Sequence, residues 1–211
     1  MSNISNFLGN RFLASMVLIV IILCSGCIQL GEEKSQPTRE GIIDLTEKYS
    51  NYGFSFKYPK GMQIEEMGFL DEYAADETSG ILVGEYYPNE EDALFIKISW
   101  IKMPTPHSSE EEYSLLDAGI NASFDLLSEV IKSANSFTKK EKREMKINNM
   151  RVLYQEYLLD FSSEDYPNRK LYGVTSSFYC YKSRRAYTFN LAYSKNESLS
   201  LLQEFLRNFN C

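Results

Sequence analysis

The chain of 211 residues contains a single histidine, His107. Histidine is the usual general base and a common metal ligand. His107 has no HxH or HExxH companion and no cysteine nearby, so it reads as a loop residue without special chemistry. The nucleophile elbow GxSxG, the P-loop and GxGxxG are missing too. Their absence removes familiar signatures of hydrolases and nucleotide-binding enzymes. Basic charge is scarce: 22 Lys and Arg stand against 29 Asp and Glu, a net charge of -7 at pH 7. Such an exterior is unfavourable for nucleic acid, whose binding rests on Lys and Arg against phosphate. Anionic lipid head groups would repel it as well. No internal repeat is visible. The expectation is a chain with no catalytic residue, no metal site and no cofactor.

What the sequence does have is an apolar run near its start. Arg11 precedes Phe12 to Cys24, and Ser25, Gly26 and Cys27 follow. A charged start, an apolar middle and a small-residue exit are the layout of a secretory signal. The end of the run resembles a prokaryotic lipobox, in which Cys27 takes a lipid on its thiol and becomes the mature N-terminus. It departs from the usual pattern at Cys24, where Leu is customary. The run is 13 residues long, short of the roughly 17–25 needed to span a bilayer. Counted on to Ile28 and Leu30 it reaches marginal spanning length, so an uncleaved N-terminal anchor is the competing reading. Both readings tether the rest of the chain to a cell membrane on its extracytoplasmic face. Residues 1–26 hold Arg11 and no acid, so the remainder carries 21 − 29 = -8.

Residues 27–41 are polar, with Gly31 and Pro37, and read as a flexible linker. Residues 42–211 are long enough for one domain with a real core. Cys24 would leave with the signal and Cys27 would carry lipid. That leaves Cys180 and Cys211 as an even pair, either bridged or two separate thiols. A bridge needs their alpha carbons within about 7 Å.

Within the domain, strand character begins near Ile42. Asn51-Tyr52-Gly53 reads as a turn, followed by the alternating strand Phe54 to Tyr58 and then Pro59. Gly61 to Asp76 reads as a long irregular connection. Ile81 to Tyr87 is a strand, residues 88–92 a charged turn, and Leu94, Ile96, Ile98 and Trp100 share one face of the next strand. Ser109 and Glu112 have capping-box spacing. A single long helix then carries Tyr113, Leu116, Ile120, Phe124, Leu127 and Ile131 on one stripe. Phe137 to Ile147 reads as one exposed, charged strand that ends at an Asn148-Asn149 turn. Three more strands follow, with inward sets Leu153, Tyr157, Leu159 and Phe161, then Tyr172, Val174, Phe178 and Cys180, then Tyr187, Phe189, Leu191 and Tyr193. Arg184-Arg185 marks the last turn. A closing helix is read from the Ser194 and Glu197 spacing and from Leu199, Leu202, Phe205, Leu206 and Phe209. Strand runs with segregated helices imply an α+β domain, an antiparallel sheet with helices packed on its faces.

Several clusters invite chemistry and receive plainer readings. Asp71-Glu72, Asp76-Glu77, residues 90–92 and Glu164-Asp165 lack the spaced ligands of a calcium loop and read as solvated turns. The basic run Lys139, Lys140, Lys142, Arg143 and Lys146 reads as a charged edge that discourages strand-to-strand aggregation; a docking patch for an acidic partner is the alternative. Fifteen tyrosines and thirteen phenylalanines sit mostly at alternating strand positions and read as core. A half-exposed tyrosine cluster would instead mark a binding surface. Asn121 and Asn196 head glycosylation sequons.

Asn51 to Met62, NYGFSFKYPKGM, resembles the opening of PsbP-like domains, in which an aromatic-rich strand runs into a proline. The later order of amphipathic helix, antiparallel meander and short terminal helix is similar as well. The resemblance spans about Thr46 to Asn210. It implies an α-β-α sandwich and a non-enzymatic module of the extrinsic-subunit or assembly-factor kind. A prokaryotic surface lipoprotein, archaeal or bacterial, is the form that fits the chain's start. The expected function is a lipid-anchored binding or assembly module working through an unidentified protein partner. Alternatives are a receptor for a small ligand or divalent cation and, further off, a hydrolase built around His107.

Overall fold

The computed structural model describes residues 43–68 and 74–211. The segment holding Arg11 to Cys27 lies outside them, as does Asp71-Glu72. Chain contacts gather Asp44–Cys211 into one unit. Among the described residues no helix is long and apolar enough to cross a membrane.

The unit opens with a hairpin of β1 (Leu45–Asn51) and β2 (Phe54–Pro59), which forms a two-stranded sheet of its own. Tyr52 and Gly53 sit at φ 49° and 73°, the left-handed pair that a tight hairpin turn requires. The buried Arg185 guanidinium donates to the Tyr52 carbonyl oxygen and pins this turn to the main sheet.

The main sheet has eight strands: β3 (Gln63–Met67), β4 (Ser79–Tyr86), β5 (Leu94–Lys102), β6 (Ser136–Lys139), β7 (Arg143–Ile147), β8 (Met150–Asp160), β9 (Lys170–Cys180) and β10 (Arg185–Tyr193). Their order is β3-β4-β5-β10-β9-β8-β6, with β7 also paired to β8. Every pairing is antiparallel. Three helices accompany the sheet: α1 (Ser109–Leu126), the short α2 (Ser128–Ser133) and α3 (Ser198–Arg207).

The two sheet faces differ in chemistry. On one, the cross-strand partners Trp100, Tyr187 and Phe178 are fully buried. The hairpin contributes Phe54 and Phe56 to that layer, and Phe205 and Phe209 come from α3 and the residue pair beyond it. The other face meets α1 over β8, β9 and β10. There the sheet offers Ser177, Thr188 and Asn190. Gly119 lets the helix approach: a Cβ on it would sit 2.6 Å from Ser177 Oγ and 2.8 Å from Thr188 Oγ1. On this face Tyr157 Oη donates to Asn190 Oδ1 at 2.8 Å and Asn190 Nδ2 to Ser123 Oγ at 3.2 Å. Gly173 makes room for the Tyr157 ring, which a Cβ there would meet at 2.0 Å.

Several sequence expectations need correction. Residues 63–67, placed in a long connection, form edge strand β3. Its polar run QIEEM hides the strand, because an edge strand can face water on both sides. The first helix is capped by Ser108, whose Oγ accepts from Glu111 N, rather than by Ser109. That helix also breaks at Leu127, so Ile131 belongs to α2. The basic stretch expected as one strand is two, β6 and β7, laid end to end along β8. The last helix begins at Ser198 with no side-chain cap, because Ser194 is used elsewhere: its Oγ donates to Asp92 Oδ1 at 2.9 Å. The fold is α+β but dominated by its sheet, and a β-hairpin shares one face with α3 where a helical layer was expected.

Candidate functional site

One end of the sheet gathers four chain features. The Asn148-Asn149 turn joins β7 to β8 with φ 49° and 64°. β9 ends at Cys180 and delivers Tyr181. The first turn of α1 brings Glu112 and Tyr113. The C-terminal residue Cys211 is bridged to Cys180, with alpha carbons 6.4 Å apart and a separation of 31 positions in sequence. Together they bound a groove of about 620 Å³, lined among others by Glu112, Glu144, Met145, Met150, Arg151 and Tyr181.

Arg151 organises the groove. It stands at the start of β8, on the face that meets α1. Its Nε and Nη2 donate to the two oxygens of Glu144 at 2.9 and 2.8 Å. Nη1 donates to the Ser109 carbonyl at 3.0 Å and lies 3.9 Å from Glu112 Oε2. The guanidinium is 5.6 Å from the centre of the Tyr113 ring. A two-pronged arginine–carboxylate pair fixes both planes and is among the stronger charge-assisted contacts. The hydrogen bonds from Arg151 hold the Glu144 carboxyl below its ordinary value, and those contacts raise Arg151 further. Partial burial, followed by the charge of Glu112, pushes the Tyr181 phenol up.

Two aromatic side chains remain open to solvent here, Tyr181 at 54% and Tyr113 at 38% exposure. Tyr181 is held edge-on to Tyr179, ring centres 5.0 Å apart. Tyr179 is buried and donates through its hydroxyl to the Met103 carbonyl at 3.1 Å. Asn148 Nδ2 donates to the Arg207 carbonyl at 3.0 Å and so caps the end of α3. The site is thus braced from behind on three sides while its tyrosines face outward.

The remaining sequence-derived positions fall elsewhere. His107 is exposed in the loop before α1, where its backbone N–H donates to Glu111 Oε2 at 2.6 Å; it does not line the groove. Asn121 is exposed on α1, but its amide donates to Asp117 Oδ2 at 3.0 Å and accepts from Lys142 at 2.9 Å. Asn196 is exposed two residues ahead of α3. The basic run is largely spoken for. Lys139 lies 4.7 Å from the centre of the Phe124 ring, Lys140 pairs with Glu156 at 2.9 Å, and Lys142 pairs with Asp117. Of the acidic turns, Asp92 is tied to Lys195 at 2.7 Å and to Asn89 at 2.8 Å. Asp76 accepts from the Thr78 and Ser79 backbones. Among the described residues no group of His, Cys, Asp and Glu is arranged to hold a metal ion. The groove itself was missed in the sequence. Glu112, Glu144, Arg151 and Tyr181 come from four separate elements, and only the β7–β8 register places Glu144 diagonal to Arg151.

No family model matches the chain. No curated protein matches it either. Among solved structures it is similar to cyanobacterial PsbP (CyanoP) from Synechocystis sp. PCC 6803, with a TM-score of 0.51 and 15% identity over 83% of this chain and 97% of that one. A protein of unknown function from Pseudomonas aeruginosa also matches, at a TM-score of 0.30 and 10% identity over 69% of this chain and 81% of that one. At such identities the first likeness speaks for the fold alone, and the fold is PsbP-like.

Proposed function

We propose that this chain is a non-catalytic binding or assembly module, held outside the cytoplasm by a lipid on Cys27, that meets a protein partner through the groove at Arg151 and Tyr181. The observation that carries the reading is the cluster of Tyr113, Tyr181 and Arg151. Tyrosine and arginine are the residues that most often dominate binding energy at protein interfaces. Here they are pre-set, Arg151 by Glu144 and Ser109, Tyr181 by Tyr179. Side chains already fixed before binding lose little entropy on contact. The PsbP-like fold and the non-enzymatic character it implies support the same reading.

A photo-reactive phenylalanine placed at Tyr181 in native membranes tests it. The expected result is a discrete crosslinked protein that disappears when Arg151→Ala is added. Loss of an interfacial anchor of this kind costs about 2 kcal/mol or more, roughly 30-fold in affinity. An identical crosslinking pattern from Tyr166, on the β8–β9 loop, would refute it. Intact mass of the membrane-extracted protein tests the tether: a species starting at Cys27 with added lipid is expected, and one retaining residues 1–26 would replace the lipid by an N-terminal anchor. One observation favours a receptor for a small ligand instead: about 620 Å³ lies within the usual range for ligand pockets.

A further inference from the structure

We propose that the two edges of the main sheet are complementary docking surfaces for a second copy of this chain, β3 of one copy lying beside β7 of the next. This goes beyond the groove and does not depend on the reading given to it. β3 ends the sheet on one side, and β6 and β7 end it on the other. Among the described residues no strand pairs with the outer side of either edge. An edge of this kind presents a row of N–H and C=O groups to which another strand can be added.

The two edges carry opposite charge. β3 holds Glu65 and Glu66 and no basic residue. Residues 136–147 hold Lys139, Lys140, Lys142, Arg143 and Lys146 against Glu141 and Glu144. Some of these charges are already engaged: Lys140 and Lys142 are in ion pairs, and Glu144 is held by Arg151. Arg143 and Lys146 are exposed and, among the described residues, belong to no ion pair. On β3 the Tyr49 and Tyr52 hydroxyls donate to Glu66 without neutralising it. Glu65 is exposed and meets no cation among the described residues. Its charge reaches Glu85 on β4, whose carboxyl is raised by burial first and by Glu65 as well, against a hydrogen bond from Tyr87.

Glu65 and Lys146 also share a face. Glu65 is in register with Val83, Val83 with Lys97, and Lys97 with Asn190, which stands on the face that meets α1. Lys146 is in register with Arg151 on that same face. A copy that continues the sheet with its faces aligned therefore brings Glu65 and Lys146 onto neighbouring strands. Opposite charges across neighbouring strands stabilise a pairing, and like charges directly opposite destabilise it. The two-fold arrangements, β3 on β3 or β7 on β7, set like charges together. Only β3 on β7 joins unlike edges. That contact is head-to-tail and leaves one free edge at each end, so copies add in a row instead of stopping at a closed pair.

Zero-length crosslinking of the full chain in a non-ionic detergent tests this. A carbodiimide condenses a carboxylate with an amine and leaves no spacer. Within one copy six strand spacings separate β3 from β7, about 29 Å, so a Glu65–Lys146 link joins two copies. The link is expected at about 0.01 M salt and should be lost at about 1 M, where the screening length falls from roughly 30 Å to 3 Å. Two variants then each spoil one edge: Glu65→Lys on β3, and Arg143→Glu with Lys146→Glu on β7. Each alone should sediment as a single chain at low salt. Mixed, they retain one intact β3 and one intact β7, so a two-chain species that grows no further is expected. Absence of the Glu65–Lys146 link in the parent protein would overturn the proposal without any variant. Association that survives high salt, or that either variant shows alone, would overturn it too.

Discussion

Phe209 follows α3 and is 3% exposed. Its ring centre lies 5.0 Å from Tyr187, 5.2 Å from Phe178, 5.4 Å from Phe189 and 5.6 Å from Phe54. It therefore joins three parts of the fold: the hairpin, the central strands and the C-terminal tail. Truncation of a buried Phe to Ala costs about 3–5 kcal/mol, and edge-to-face ring pairs add about 0.5–1.5 kcal/mol beyond area. With three edge-to-face neighbours and Phe54 stacked against it, Phe209→Ala should lose about 4 kcal/mol. Domains of this kind are stable by only about 5–15 kcal/mol, so the variant should remain folded but fragile. Its Tm should fall by about 8–16 °C. Urea unfolding followed by fluorescence reports this directly, because Trp100 is the single tryptophan and its ring lies 5.0 Å from Phe54 in the same cluster. Phe209→Leu keeps most of the volume and should lose less than about 1.5 kcal/mol. A Phe209→Ala midpoint within about 1 kcal/mol of the parent, with unchanged denaturant slope, would refute the claim that the tail closes this layer.

Other expectations follow from the same structure. Replacing Cys180 and Cys211 together by serine should cost about 3.7 kcal/mol by the chain-entropy relation, given their separation of 31 residues; intact mass with and without reductant and a parallel urea titration check it. Ser108→Ala should remove the cap of α1 and cost about 1 kcal/mol, read as a shift in urea midpoint. Gly173→Ala would force the Tyr157 ring out of its seat and should cost about 1–3 kcal/mol; an unchanged midpoint would show that the ring has another place to go. Burial alone would raise the Asp92 carboxyl, but Lys195, Asn89 and Ser194 outweigh it and the net shift is downward. The folded carboxyl thus holds its proton less tightly than the unfolded one. Its stabilisation is present above the ordinary value of 3.8 and fades as pH falls through the lower folded value. Asp92→Asn should flatten that part of an acid-unfolding curve.

Much of the fold was legible in the sequence where local rules and tertiary packing agree. The Asn51-Tyr52-Gly53 turn, the alternation through Trp100 and the stripe of Leu116, Ile120 and Phe124 each meet a buried partner, so their patterns are clean. Edge strands are where legibility fails. β3 is paired on one side only and places Glu66 under Tyr49 and Tyr52, whose hydroxyls donate to its two oxygens at 2.8 and 2.6 Å. That polar pairing looks like loop composition in one dimension. The break between β6 and β7 is equally hidden, since Lys142 leaves the edge to reach Asp117 and Asn121 on α1. The groove depends on four elements converging, and spacing along the chain carries no trace of it. Tyr181 stands just past the last residue of β9, Cys180, so no strand alternation marks it.

The seam between β5 and β10 has a consequence for how the domain breathes. The sheet consists of two local meanders, β3-β4-β5 and β6 through β10, and nine register partners from Leu94 with Tyr193 to Lys102 with Arg185 join them. Within each meander, neighbouring strands are close in sequence. Across the seam the partners lie on either side of α1, so their meeting closes the longest loop in the sheet. Such contacts form late and set the folding rate. They also mark a natural boundary between cooperative units. Amide exchange in the native protein should therefore sort by meander rather than by depth. The β8–β9–β10 amides should form one slow block and the β3–β4 amides a faster one. β5 should exchange with whichever block the seam binds it to.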